Sequence, residues 1–321
     1  EMRLPRSPVD TCFNEIISLL DEAIPDLPLR KDKIYESQGH FSLESAWALK
    51  AKVLLYAASP LFNGNVDYAD FKDKAGKPYF NLSHDQEKWK TAALALDTAV
   101  LICERSGYQL IANNTGRATA LLNTMKDIEL SVFSPQYLST EAIFMIKSVS
   151  SNNWRHFLPK LQRFTIGADG NLTTTPEPHY SENAYGTLAI NMKMVEMFYT
   201  ENGLPIEYDK TWNYSARYQL AQERSNKYKN VVALNRDVLN LHLKREPRFY
   251  ANIAGDGMYW LRGTASTDNL LVEAYRGQRF GIQESRIVST VPQNITGYWT
   301  KKFLRSDFHT KNYITDAGQL G

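Results

Sequence analysis

Trp154 stands in an irregular stretch, after Ser150-Ser151-Asn152-Asn153 and before Arg155 and His156. Three comparable groupings follow. Tyr180 and Tyr185 end a Pro-containing loop, Trp212 and Tyr214 lie in a polar loop after Asn202-Gly203, and Tyr259-Trp260 comes just after Gly255-Asp256-Gly257. Flat rings beside amides and guanidinium groups suit sugars, whose C–H faces stack on aromatics while their hydroxyls take directed hydrogen bonds. The candidate contacts are therefore Asn153, Trp154, Arg155, Tyr185, Trp212, Tyr214, Tyr259 and Trp260. Core packing competes for the same rings. The two uses fit Trp154 and Trp212 equally well, whereas strand-like surroundings favour the core for Trp260 and Trp299.

Other chemistries find little support. The six histidines, at 40, 84, 156, 179, 242 and 309, have no HxxxH or HExxH spacing, so each reads as a surface or capping residue and no metal is expected. There is no GxSxG elbow. Gly255-Asp256-Gly257 begins like a dinucleotide loop, but Trp260 stands where the third glycine belongs, and no cofactor is expected. Cys12 and Cys103 fall on apolar helix faces and read as buried small hydrophobes. Five Asn-x-Ser/Thr sequons, from Asn81 to Asn294, are what chance gives in a chain so rich in these residues. Carboxylate pairs for glycoside hydrolysis are a matter of three-dimensional separation. With 35 acidic residues, no pair stands out, and the chain does not read as an enzyme. A net charge of +2 without a Lys/Arg cluster gives no nucleic-acid footprint. No apolar run is long enough to span a membrane.

The elements that must position these residues begin with three helices. Ser7-Pro8-Val9-Asp10 supplies a start signal, after which Cys12, Phe13, Ile16, Ile17, Leu20, Ala23 and Ile24 recur at three-four spacing until Pro25. The second runs from the Ser42 cap through SLESAWALKAKVLLYAASPLFNG to a turn at Asn63-Gly64. Its alanines at 46, 48, 51, 57 and 58 let neighbours approach, and its nearly all-apolar surface predicts burial inside a helical stack. Ser83-His84-Asp85-Gln86 fits a capping box for the third, whose stripe is Trp89, Ala92, Ala93, Leu96, Ala99, Val100 and Cys103, closing at Ser106-Gly107. Trp47 and Trp89 sit one turn into their helices, 42 positions apart, and are expected in the core. Helix pairs repeating at roughly 34 to 47 residues mark tetratricopeptide-type solenoids, and two units are too few to stand alone.

Beyond residue 110 the pattern changes. Glu141–Val149 predicts a buried strand, residues 150–186 a long ordered loop, Asn191–Thr200 a helix, and Val231–Leu243 another helix broken by Pro247. Alternation in Arg248–Ile253 and Tyr298–Phe303 predicts short strands. The expected fold is mainly α: a tetratricopeptide-like helical-repeat scaffold over 1–140, with a loop-rich lobe containing short β-strands over 141–321 packed on it. Loops this long in a compact domain are usually functional surfaces.

Taken in order, LPRSPVDTCFNEIISLLDEAIPDLP, SLESAWALKAKVLLYAASPLFNG, WKTAALALDTAV, SGYQL, EAIFMIKS, NMKMVEMFYTENGLPI, LKREPRFYANIAGDGMYW and TGYWTKKF resemble the SusD/RagB family over nearly the whole chain. These are surface-exposed outer-membrane lipoproteins of bacterial glycan-uptake systems. The resemblance implies a non-catalytic subunit at the extracellular face of the cell outer membrane. It would capture an oligosaccharide or another nutrient for a TonB-dependent (SusC-like) transporter docked on its helical side. The family's lipidated N-terminus and preceding helices are missing before Glu1, and a further repeat helix is missing before Gly321, so the chain reads as an incomplete member that meets the membrane only through an anchor it lacks. Binding residues vary within the family, so the eight candidates rest on residue type and loop position. A structural adaptor that binds the transporter without binding glycan is the competing reading. A helical glycosidase with carboxylates about 5 to 9.5 Å apart is a remote third.

Overall fold

The computed structural model describes residues 6–32, 39–112, 116–133, 139–145, 154–177, 184–260, 270–281, 294–302 and 304. The chain forms two compact units, one from residues 1–110 with 135–147 and one from 111–134 with 148–321. The division is therefore not a single cut at 140. It follows from a helix that no sequence signal announced, α4 (Ala120–Phe133), which buries Met125 in the core of the second unit.

Three helices dominate the first unit: α1 (Val9–Ala23), α2 (Leu43–Ala58) and α3 (Glu87–Arg105). The Ser42 cap forms as expected, its hydroxyl accepting from Ser45 N while Ser45 Oγ accepts from Ser42 N. The other two starts differ. Pro8, not Ser7, caps α1 and makes no side-chain bond, and Gln86 begins α3 without one. The Ser83 box does not form: Ser83 N donates to Asn81 Oδ1 at 3.0 Å, and the Gln86 side chain pairs with His84 Nε2. Asp85 N donates to Asn63 Oδ1 at 2.8 Å. Asn63, 4% exposed, also donates to Asp85 O and Ala58 O, clasping the end of α2 to the approach of α3. Gly64 beside it has φ +79°, and a Cβ there would lie 2.8 Å from the His84 backbone. That turn admits only glycine without strain.

Alanine lets α2 and α3 meet closely: Ala51, Ala95 and Ala99 are buried together beneath Trp47 and Leu54. The expected stripe of α3 splits in two. Ala92, Ala95, Ala99 and Cys103 are buried, whereas Trp89, Ala93, Leu96 and Val100 are exposed. Nor is α2 enclosed, since Leu55 and Tyr56 face out. Trp89 is thus no core residue, Trp47 is half-buried under Lys50, and Cys12 is exposed on α1. Glu44 is buried outright. Burial raises its carboxyl, but backbone N–H groups of Glu44 and Arg30 and the hydroxyls of Ser106 and Ser42 outweigh it and hold the pKa below the ordinary value. The described part of Glu141–Val149 is not a strand. Residues 139–145 are instead stapled by side chains: Arg30 Nη2 donates to Ser139 O, and Tyr108 hydroxyl to Ile143 O.

Among the described residues the second unit also contains α5 (Trp154–Phe157), α6 (Met192–Met197) and α7 (Pro247–Asn252), with three two-stranded antiparallel sheets. These pair β1 (Leu220–Gln222) with β2 (Asp237–Leu239), β3 (Ile253–Ala254) with β6 (Trp299–Thr300), and β4 (Tyr259–Trp260) with β5 (Leu270–Leu271). Asn191 caps α6 through its side chain, and the chain turns at Gly203, whose φ is +73°. Val231–Leu243 is not a helix. Its N–H and C=O groups reach across to a neighbour, with Ala233 N donating to Gly257 O and Tyr259 N to Val231 O, and Asn235 turns at φ +55°. Conversely, Arg248–Asn252 is helical, because Pro247 starts a turn and Phe249, Tyr250 and Ile253 then fall on one buried face.

Arg245 holds this core. It is 1% exposed, and its guanidinium donates to Leu241 O (2.6 Å), Val195 O (3.0 Å), Phe198 O (2.5 Å) and Tyr199 O (3.2 Å). It thereby satisfies the carbonyls that the end of α6 leaves open, while Phe249 stacks on it at 4.6 Å. Burial pushes its pKa down to about 10. His242, read from sequence as a surface or capping residue, is 1% exposed between Asp256 O and Tyr298 hydroxyl, and burial lowers its pKa to about 4.

Candidate functional site

The candidate contacts among the described residues do not converge. Trp212 is 6% exposed in the main core of the second unit, and its indole N–H is spent on Leu243 O at 3.1 Å. Trp260 is 5% exposed in a separate cluster with Leu161, Leu270, Phe280 and Trp299. Neither ring has a face left for a ligand, so both are framework. Tyr259 is half-buried in the β4–β5 ladder. Asn153 lies outside the described residues, as do the side chains of Trp154 and Arg155, whose backbone opens α5.

Two groupings remain. In the first, the chain folds back so that α5 meets residues 184–188. His156 sits edge-on to Tyr185 with centroids 5.3 Å apart, hydrogen-bonds through Nδ1 with Thr187 Oγ1 at 2.6 Å, and accepts Leu188 N on its carbonyl. Gly186 permits the contact: its φ is +60°, and a Cβ would lie 2.6 Å from Lys160 N. Residues 158–177 are anchored along the chain at 277–279, with Gln162 N donating to Arg279 O, Ile166 N to Gly277 O, and Arg279 pairing with Glu177. Leu158 and Leu161 are buried beneath. The long ordered loop expected here is thus ordered in its described part, and it puts Tyr185 on the helix that Trp154 and Arg155 begin.

The second grouping centres on Arg217, which the sequence reading missed. Asn213 Oδ1 accepts from Ala216 N and caps the turn that carries Tyr214. The guanidinium carbon of Arg217 lies 4.1 Å from the Tyr214 ring centroid and 4.4 Å from that of Tyr218. Its Nε donates to Glu196 Oε1 on α6 at 2.7 Å, and Tyr218 hydroxyl donates to the same oxygen at 2.5 Å. The Tyr218 hydroxyl holds the Glu196 carboxyl below its ordinary pKa against the opposing effect of burial, with Arg217 assisting. Half of Tyr218 remains exposed. The signal was available: tyrosines four apart with an arginine between them put three planar groups within stacking reach. Among the described residues, no cluster of His, Cys, Asp or Glu could hold a metal, and no helix is long and apolar enough to cross a membrane.

The SusD family model matches residues 140–319, more than half the chain. The chain belongs to the SusD family. Two solved structures share its helix-rich fold. BT4246 matches with a TM-score of 0.73 at 24% identity, over 95% of this chain and 51% of that one. The SusD-like protein BF3747 from Bacteroides fragilis NCTC 9343 matches with a TM-score of 0.55 at 16% identity, over 96% of this chain and 45% of that one. The chain therefore spans about half the length of these relatives. No curated protein matches it.

Proposed function

We propose that this chain is part of a non-catalytic, cell-surface subunit that captures an oligosaccharide and passes it to a TonB-dependent transporter in the outer membrane. SusD family membership supports the association with glycan uptake and with such a transporter. The observation that carries the site is local. The aromatic loop folds back so that α5, which Trp154 and Arg155 begin, packs His156 against half-buried Tyr185 beside the Thr187 hydroxyl. A ring with neighbouring hydroxyl and imidazole groups suits a pyranose better than an apolar ligand. We take Trp154, Arg155 and Tyr185 as the primary contacts, Asn153 as their neighbour, and Tyr214 with Tyr218 as a second platform. The α2–α3 pair supplies one tetratricopeptide-like unit of the frame.

Titration of the purified chain with hits from a glycan array tests the reading, and Trp154→Ala and Tyr185→Ala should each weaken the best hit. An array without hits, beside robust capture of a transporter, would favour the adaptor reading instead. That alternative draws on the loss of Trp212 and Trp260 to the core and on the exposed apolar residues Leu94, Leu96 and Val100 of α3.

A further inference from the structure

The sandwich of Tyr214, Arg217 and Tyr218 carries polar groups that its own packing does not use up. A guanidinium presents its N–H donors in a fixed fork and has no acceptor. Arg217 spends Nε on Glu196 Oε1 and Nη1 on Tyr214 O at 3.1 Å. The Tyr218 hydroxyl is its other polar neighbour, and that contact takes at most one Nη2 hydrogen and leaves another. Glu196 accepts twice through Oε1, from Arg217 Nε and the Tyr218 hydroxyl. Among the described residues nothing donates to its Oε2. Nor is that oxygen sealed in, because Gln162 Oε1 is the only buried side-chain oxygen or nitrogen there without a partner.

Both walls are fixed before any ligand arrives. Asn191 Oδ1 accepts from Met194 N at 2.8 Å at the start of α6, which carries Glu196, and Asn213 Oδ1 accepts from Ala216 N in the turn before Arg217. Arg217 O accepts from Leu241 N, and Gln219 O from Asn240 N, both at 2.9 Å. Groups held in this way bind with little ordering cost. Arg217 covers one face of the Tyr218 ring, and half of that residue is exposed, so the other face is open.

An open ring face beside a carboxylate oxygen and a guanidinium N–H matches a pyranose. Its C–H face lies on the ring, one hydroxyl donates to the carboxylate, and the adjacent hydroxyl accepts from the guanidinium. Both bonds are charge-assisted, the stronger kind. We infer that Glu196 and Arg217 determine specificity at this platform, which takes a saccharide with two free vicinal hydroxyls. The inference rests on the reading of Tyr214 and Tyr218 as a second glycan platform and adds what that platform selects. A sugar whose hydroxyls are etherified leaves the carboxylate unpaired and is rejected.

Fluorine NMR of the whole chain labelled with fluorotyrosine tests this, with the Tyr218 and Tyr185 resonances assigned from their phenylalanine variants. The ligands are maltotriose, cellotriose, mannotriose and their fully O-methylated forms. Glu196→Gln is the decisive variant. Arg217 offers only donors, so the amide oxygen must face it and the sandwich persists, while Oε2 gives way to an NH₂ donor. We expect at least one free trisaccharide to shift Tyr218 in the wild type and in Tyr185→Ala, and the methylated forms to leave it unmoved. The Kd read at Tyr218 should rise at least about tenfold in Glu196→Gln and in Arg217→Lys, which loses the fork. The methylated sugars need no variant, so the test stands whether or not either variant folds well. An unmoved Tyr218 with every free trisaccharide, equal shifts from the methylated forms, or wild-type affinity in either variant would each overturn the inference. Shifts at Tyr185 alone would do so while the capture reading stands. A response at Tyr218 alone would spare this platform and remove the primary site.

Discussion

Arg245 offers the sharpest test of how the second unit is held. Replacing it with methionine keeps much of the length and apolar stem but withdraws donors from the carbonyls of Leu241, Val195, Phe198 and Tyr199. At about 1.5 kcal/mol for each charge-assisted bond, the gross loss is about 6 kcal/mol. Burial lowers the guanidinium pKa from its ordinary value to about 10, so removing the charge returns roughly 3 kcal/mol. The net expectation is destabilisation of about 3 kcal/mol. Urea unfolding followed by near-UV circular dichroism should show a lower midpoint at an unchanged slope. Arg245→Lys discriminates further. Lysine retains the cost of a buried charge but presents its donors at one point, so it cannot span four carbonyls on separate segments, and it should be no more stable than methionine. A methionine variant within about 1 kcal/mol of wild type would refute the reasoning, as would a lysine variant clearly better than methionine.

Three other outcomes follow from the same geometry. His242 titrates at about 4 when folded against an ordinary 6.5. Stability should therefore be insensitive to this group above pH 6.5 and fall as the pH drops toward 4, by about 3 kcal/mol in all. His242→Gln should flatten that limb of the urea midpoint against pH, and an unchanged profile would contradict the assignment. Trp212→Ala should cost about 3 to 5 kcal/mol in stability, whereas Trp154→Ala should leave the melting temperature alone and weaken glycan binding by about 1 to 3 kcal/mol in calorimetry. The reverse pattern would exchange their roles. Gly281→Ala should destabilise by about 1 to 3 kcal/mol, because its Cβ would lie 1.7 Å from Tyr275 O. A neutral thermal scan would show that the segment yields freely.

Local signals carried much of the first unit. The Ser42 cap, the turn at Gly64 and the close of α3 at Ser106-Gly107 each depend on a few adjacent residues, and each could be read from the chain. Signals that depend on competition between partners could not. The Ser83 box lost to Asn81 and His84, which take the Ser83 N–H and the Gln86 side chain that the box needs. The Val231–Leu243 segment was drawn into pairing with residues 257–259, against its apparent helical spacing.

The site divides in the same way. The sequence by itself determined the family, through an ordered series of segments, and picked out a loop rich in aromatic and amide groups. It also placed Tyr185 and Tyr214 among the candidates. Only the tertiary structure decided which rings face inward. Trp212 stands in polar surroundings along the chain, yet it is buried in the cluster that holds Ile206, Tyr228 and Phe249. Burial is set by what packs over a ring, and the residues that do so come from distant positions. The same cause hid Arg217 and Arg245. One is sandwiched at a surface and the other sunk among carbonyls, and nothing in the local sequence of either states which of the two it will be.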